Sequence, residues 1–210
     1  MKISPDILPE LIQAVNNAVT QHADELTELD KAIGDGDHVI NLRRGLDALL
    51  AQQDEVAQLD WANAWQKLGM TCMSKIGGAS GSLFGTLFIS MAKSAKGQPV
   101  DVAVFSQAFT AGVESMKMRG KAEAGEKTML DVLIPVACVL QENASGVELA
   151  DLLVQVKEVA QVGMESTRDM LATKGRASFL GGRSIGHIDA GAKSSQLMID
   201  ALVNVLQKYN

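Results

Sequence analysis

Leu149-Ala-Asp-Leu-Leu-Val-Gln-Val-Lys-Glu-Val-Ala-Gln-Val-Gly-Met-Glu-Ser-Thr-Arg-Asp-Met-Leu171 is the stretch that decides the fold. Leu149, Leu152, Leu153, Val156, Val159, Met164 and Leu171 recur mostly at intervals of three and four, the spacing of one helix face. The pattern predicts a long helix that stops at Gly175, a residue suited to the left-handed turn beyond a helix C-terminus. The same period continues outward in both directions. Met198, Ala201, Leu202, Val205 and Leu206 follow it on the C-terminal side. On the other side, 128–140 is apolar on most faces and therefore central, with Pro135 predicted to kink it or to sit where no backbone donor is needed. Further stripes are Phe105, Ala108, Phe109, Gly112 and Met116, then Leu83, Leu87, Phe88 and Met91, then Trp61, Trp65, Leu68 and Cys72. Leu42, Leu46, Leu49 and Leu50 form another, and Leu8, Leu11, Ile12, Val15 and Val19 the first, opened by Ser4 as N-cap and Pro5. Strict alternation is nearly absent. The expectation is an all-α chain of about eight helices, one domain over residues 1–210.

Composition narrows the function classes. The 210 residues are 47% apolar and 21% charged with 4 Pro, which excludes disordered and fibrous classes. A net charge of −6 weighs against nucleic acid as the main partner, but not against a nucleotide, because a few local donors and a metal overcome a negative mean. Cys72 and Cys138 stand far apart in apolar surroundings, so no disulfide framework is expected. No apolar run approaches the roughly 18 residues of a membrane helix, and Met1-Lys-Ile-Ser-Pro-Asp6 lacks the apolar core of a signal peptide. A soluble, cytoplasmic protein without a membrane span is expected.

Glycine is segregated into the connections. Antiparallel neighbours place alternate connections at one end of a bundle, so the loops near 30–38, 77–82, 119–128 and 175–191 are expected to share an end. In the first, Asp30, Asp35 and Asp37 stand within eight residues among glycines. Crowded carboxylates call for a cation, and hard oxygen donors with open positions suit Mg²⁺. The alternative is a solvated turn with Asp37 as N-cap. His38 beside them reads as a phosphate donor, a proton carrier or a plain structural histidine. Gly77-Gly-Ala-Ser-Gly-Ser82 leads into a helix whose free N–H groups suit an anion; a turn capped by Ser80 or Ser82 reads equally well. Gly120-Lys-Ala-Glu-Ala-Gly-Glu-Lys-Thr128 approaches a Walker A loop, but Glu126 interrupts the Gly-Lys-Thr and a helix precedes it, so that reading fails. Lys127 and Thr128 face either an anion or, as ordinary capping residues, solvent. Arg176 and Arg183 in the last loop have the fork that suits phosphate, or they neutralise carboxylates of the first loop.

Taken together, Asp30…Ile33-Gly-Asp-Gly-Asp-His38…Asn41…Arg44-Gly45, Gly77-Gly-Ala-Ser-Gly81, Arg119-Gly-Lys-Ala…Gly125…Lys127-Thr-Met129…Asp131 and Lys174-Gly-Arg-Ala-Ser178…Arg183-Ser-Ile-Gly-His187…Asp189…Gly191 resemble the nucleotide-binding (L) subunit family of dihydroxyacetone kinases. The resemblance runs from residue 30 to 195. It implies a barrel of eight antiparallel helices with ADP or ATP across one end. Asp30, Asp35 and Asp37 would hold two Mg²⁺. His38, Val39, Ile40, Asn41, Ala79, Ser80, Gly120, Met129, Arg176, Asp189, Ala190 and Gly191 would contact the nucleotide, with Arg176 and His38 as the candidates for catalysis. It implies a ketose-binding subunit and a phosphotransferase-system phosphocarrier as partners, and leaves a homodimer open. The alternatives are a subunit that exchanges ATP, a regulatory nucleotide-binding module, and a self-sufficient small-molecule kinase. The chain departs from the family pattern at Val39-Ile40, where a smaller Gly-containing pair is usual, and at Ser82, Gly182 and Ala190, where Pro, Glu and Pro are common. Val39 and Ala190 are expected to loosen the enclosure and speed nucleotide exchange.

Overall fold

In the computed structural model, which describes residues 4–144 and 147–209, the apolar stripes become helices and no strand occurs among the described residues. The reading of the N-terminus falls partly on residues 1–3, outside the described ones. The helices are α1 (Leu8–Gln21), α2 (Ala23–Ile33), α3 (His38–Leu50), α4 (Gln53–Val56), α5 (Trp61–Lys75), α6 (Gly78–Ala95), α7 (Val102–Gly120), α8 (Leu130–Glu142), α9 (Leu149–Ser166) and α10 (Ala190–Leu206). No described helix is long and apolar enough to cross a membrane.

Eight of these close into a ring. In order around it, α1 packs on α3, α3 on α5, then α5, α6, α7, α8, α9 and α10 each on the next, and α10 returns to α1. Lys208 and Tyr209, just beyond α10, reach Glu10 at the start of α1 at 2.8 and 2.6 Å and fasten the seam. One apolar core fills the ring, from Val19 on α1 through Leu42, Trp65, Met91, Met116 and Val132 to Leu152 and Val203. Near the start of α5 and α7, Trp61, Trp65, Phe105 and Phe109 form a chain of rings with centroids 5.3, 6.2 and 6.0 Å apart. Such pairs bind beyond their area burial alone.

One boundary differs from the sequence reading, and two helices, α2 and the single turn α4, are additional to it. The ninth helix ends at Ser166, not at Gly175. A short 3-10 turn over Thr167–Asp169 follows, and Met170 is extended at ψ 145. Leu171, half exposed, continues no stripe, so its spacing was coincidental. The second difference is α2, which has too few apolar residues to show a stripe: only Leu26 and Ile33 are buried. It joins the same-end termini of α1 and α3, with Glu25 3.4 Å from Lys193 in the first turn of α10. Asp30 therefore sits on the last turn of a helix and not in a loop.

Pro135 lies inside α8 and leaves the carbonyl of Asp131 without a helical donor. There α9 packs tightly: a Cβ at Gly163 would collide with that carbonyl and stand 3.1 Å from Val132 Cα. Beneath the last loop lies Lys127, 1% exposed. Its ammonium donates to the carbonyls of Thr167 and His187, and at 3.5 Å to that of Arg168. Burial holds it below the usual lysine range, against the carboxylates of Asp189, Asp169 and Asp131. The solvated-lysine reading does not hold.

Gly163→Ala should lower the free energy of unfolding by roughly 1–3 kcal/mol, since backbone cannot give way, while Gly182→Ala, with nothing within 4 Å of its Cβ, should stay within about 0.5 kcal/mol. Lys127→Met keeps the volume but strips the carbonyls of their donor and should cost roughly 2–4 kcal/mol. Urea denaturation followed by circular dichroism measures both.

Candidate functional site

The four glycine loops do converge. They line one cleft of about 640 Å³ at the end of the barrel crossed by α2.

The first wall is acidic. Gly34 follows α2, and a Cβ there would collide with the Asp30 carboxylate. Gly36, at φ 77, turns the chain so that Asp35 and Asp37 come back beside Asp30. Ligand oxygens of the three carboxylates lie within 4.8 Å of one another, with Asp30 half-buried and the other two exposed. Asp37 occupies the N-cap position of α3 but makes no side-chain cap bond. The His38 N–H instead donates to Asp30 Oδ2 at 3.0 Å. Asp35 pairs with Arg176 Nη2 at 2.9 Å. The reading that an arginine of the last loop neutralises the first is thus met, and the carboxylates keep oxygens for a cation. A compact set of hard oxygen donors fits Mg²⁺.

The second wall is the N-terminus of α6. Gly78 has φ 64, and a Cβ on Gly77 would collide with the Asn41 amide and the Arg44 guanidinium. Arg44 donates to the Lys75 carbonyl at 2.7 Å and to Asn41 Oδ1 at 2.9 Å, gripping the approach to the turn. No side chain caps α6, so the first-turn amides around Ala79 and Ser80 are open toward an anion.

The third wall is held by two acids. Asp131, 4% exposed, accepts from Gly125 N at 2.5 Å and Thr128 N at 2.7 Å. Glu126 accepts from Glu123 N at 2.7 Å and Thr173 Oγ1 at 2.9 Å, and lies 3.6 Å from Lys174. The residue that breaks the Walker pattern thus ties this loop to the last one. The fourth wall carries its own small core, in which Ala172 and Ala177 pack with Ile33 of α2.

Asp189 caps α10, accepting from Ala192 N at 2.8 Å. Burial pushes its carboxyl up to about 6, opposed by that bond and by Lys127, and aided by the charges of Asp131 and Asp30. His38 Nε2 lies 2.9 Å from Ser194 Oγ. Burial lowers its pKa, against the raising influence of the Asp30 and Asp37 charges.

Asp30, Asp35, Asp37, His38, Ala79, Ser80, Gly120, Met129, Arg176, Asp189, Ala190 and Gly191 all line the cleft. Val39, Ile40 and Asn41 do not. Val39 is in the core, Ile40 is 67% exposed, and Asn41 lies under Gly77. Of the departures from the resemblance, Ser82 and Ala190 touch the cleft and Val39 does not. Sequence reasoning gave no role to Phe179, Lys174 and Arg119, which also line it. Phe179, 86% exposed, carried the one available signal, an aromatic in a glycine-rich polar loop.

The model of the DAK2 domain matches residues 32–204. Among curated proteins, the chain is 43% identical over 185 residues to the ADP-binding subunit DhaL of PEP-dependent dihydroxyacetone kinase 1 from Listeria innocua, covering 88% of each. It is 36% identical over 204 residues to the ADP-binding subunit DhaL of the PEP-dependent dihydroxyacetone kinase of Escherichia coli, covering 96% of this chain and 97% of that one. Among solved structures, the dihydroxyacetone kinase from C. freundii in complex with AMP-PNP and Mg²⁺ superposes with a TM-score of 0.75 at 22% identity. The match covers 97% of this chain and 34% of that one, and shows a shared fold. With its family model matched over residues 32–204 and such identity along most of both chains, the chain belongs to the DAK2-domain family.

Proposed function

We propose that this chain is the ADP-binding subunit of a PEP-dependent dihydroxyacetone kinase, carrying a phosphoryl group on a magnesium-bound nucleotide to a ketose held by a separate subunit. The observation that carries the reading is one cleft shared by three clustered carboxylates, each with oxygen left for a cation, and an uncapped helix N-terminus. The names of the relatives support the reaction.

Asp30, Asp35 and Asp37 would hold the magnesium, two ions in the full reading. When bound, the metal supplies Lewis acidity and neutralises charge developing on phosphate oxygens. The chain's own groups bind and orient. The α6 amides around Ala79 and Ser80 receive phosphate oxygens, and Gly120, Met129, Ala190 and Gly191 enclose the rest of the nucleotide. Arg176, already at the mouth on Asp35, meets the phosphate as charge shifts. Phosphoryl transfer asks the protein mainly for position and charge, not for covalent chemistry. A base for the ketose hydroxyl belongs to the partner in this reading. The proposal places the protein in the cytoplasm, with the ketose-binding subunit and a phosphocarrier as partners. ATP as an exchanging cosubstrate is the competing reading, favoured only by Ala190, which lacks the stiffness of proline in the cleft wall.

Protein purified without added nucleotide should release ADP on denaturation, read by mass spectrometry. Supplied with the ketose subunit and dihydroxyacetone, it should turn over repeatedly with the phosphocarrier system; robust turnover on ATP alone would select the competing reading. Asp35→Asn and Asp37→Asn should each weaken Mg²⁺-dependent ADP binding at least roughly tenfold, about 1.4 kcal/mol, in calorimetric titration. Their helical circular dichroism should be unchanged, because both side chains are exposed. Arg176→Lys keeps the charge and loses the fork, so turnover should fall roughly tenfold or more while the melting temperature hardly moves.

A further inference from the structure

Ser194 lies on the inner side of the first turns of α10 and is 0% exposed. Its Oγ has two neighbours within hydrogen-bonding distance: the carbonyl of Gly191 at 3.1 Å and His38 Nε2 at 2.9 Å. A serine hydroxyl has one hydrogen. The carbonyl can only accept, whereas an imidazole nitrogen donates or accepts according to its tautomer. One assignment alone satisfies both contacts: Ser194 Oγ–H donates to Gly191 O, and His38 Nε2–H donates to Ser194 Oγ. The reverse would place two oxygens 3.1 Å apart with no hydrogen between them.

The consequence falls on the other ring nitrogen. His38 lines the cleft, and its Nδ1 has no hydrogen-bond partner among the described residues. We infer that Ser194 is a positioning residue that holds the hydrogen on His38 Nε2, so that the neutral ring presents an unprotonated Nδ1 to the cleft as an acceptor. A lone pair repels phosphate oxygen. The ligand group it takes is therefore a hydroxyl donor, from the sugar of a nucleotide or from an ordered water, and His38 is not a phosphate donor. Ser194 also joins the first wall to the start of α10 beside Ala190 and Gly191, so the imidazole and that wall are placed together.

The first test needs no ligand and stands apart from the proposed function. Long-range ¹H–¹⁵N spectra of the labelled protein at pH 8 resolve its 3 histidines, and His38→Asn identifies the His38 signals. The expected pattern is a protonated Nε2 and an unprotonated Nδ1, giving way to mixed tautomers in Ser194→Ala. A protonated Nδ1 in the wild type, or an unchanged pattern in Ser194→Ala, would overturn the assignment. The second test rests on nucleotide binding at this cleft. Ser194→Ala should bind ADP with Mg²⁺ roughly tenfold more weakly and inorganic pyrophosphate as well as wild type. Equal losses for both would mean that His38 faces phosphate, and the acceptor role falls. With 2′-deoxy-ADP, an undiminished loss points to water or another sugar hydroxyl as the donor, and an abolished loss to the 2′-hydroxyl. Wild type that fails to bind ADP would refute the proposed function and leave the tautomer result standing.

Discussion

Three carboxylates whose ligand oxygens lie within 4.8 Å set the terms for this end of the molecule. Like charges that close repel, and the fold has two means of tolerating them short of a metal. Exposure of Asp35 and Asp37 lets water screen them, and the Arg176 guanidinium stands against Asp35 at 2.9 Å. An exposed ion pair of this kind is weak, on the order of 1 kcal/mol or less. It balances charge without making the cluster a structural salt bridge, so a divalent cation with two charges remains the stronger neutraliser. The local geometry keeps that option open. The N-cap position of α3 is occupied by Asp37, yet its side chain caps nothing, and Asp30 uses one oxygen on the His38 N–H.

The ring carries this arrangement because of where the connections fall. Eight antiparallel helices put the starts of α3, α6, α8 and α10 at one end. Helix N-termini have a positive dipole end and free N–H groups, and they alternate here with the C-terminal ends of α1, α5, α7 and α9, so what each N-terminus does with its N–H groups matters more than a summed dipole. Three of the four are treated differently. Asp189 caps α10 and Asp131 closes the loop before α8, while α6 keeps its amides free. At α3 the Asp37 side chain caps nothing and Asp30 takes the His38 N–H, so α6, with no side-chain cap at all, is the seat for phosphate in the proposed function. Lys127 is the cation that the same logic would have sent to the phosphate, yet it is buried beneath the cleft on the carbonyls of Thr167 and His187. Its charge answers the C-terminal end of α9, and the walls are fixed by it.

Much of this was legible in the residues. Seven of the eight ring helices show a one-faced stripe; α8 is apolar on most faces and read as central, yet it stands in the ring between α7 and α9 with Cys138 exposed. Glycine spacing revealed the convergent loops, since antiparallel connection alone decides which end they share. What escaped has physical causes. Helix α2 buries only Leu26 and Ile33, too few for periodicity to register, so Asp30 read as a loop residue. Leu171 extended a stripe by chance past the true end of α9. Lys127 read as facing an anion or solvent because its partners are backbone carbonyls far along the chain, which no side-chain pattern announces. The resemblance gives Val39 to Asn41 to the nucleotide, and the structure shows where their side chains stand. A helix that starts at His38 turns Val39 inward, Ile40 outward and Asn41 beneath Gly77.

That last geometry changes what the sequence departures mean. A branched residue at Val39 fills the core and leaves the cleft wall untouched, and Gly182 has open space around it. Ala190 is different: 5% exposed and at the first position of α10, it lies between Asp189, which caps that helix, and Gly191, which stands 3.5 Å from Met129 Cε by its virtual Cβ. Proline suits a first helical position because it needs no N–H there and has its φ already set. With alanine the wall relies on neighbours for stiffness, on the Asp189 bond to Ala192 N and on Ser194 bridging Gly191 to His38. Of these, the Ser194 contacts also meet the His38 imidazole, so the ring and this wall share one anchor.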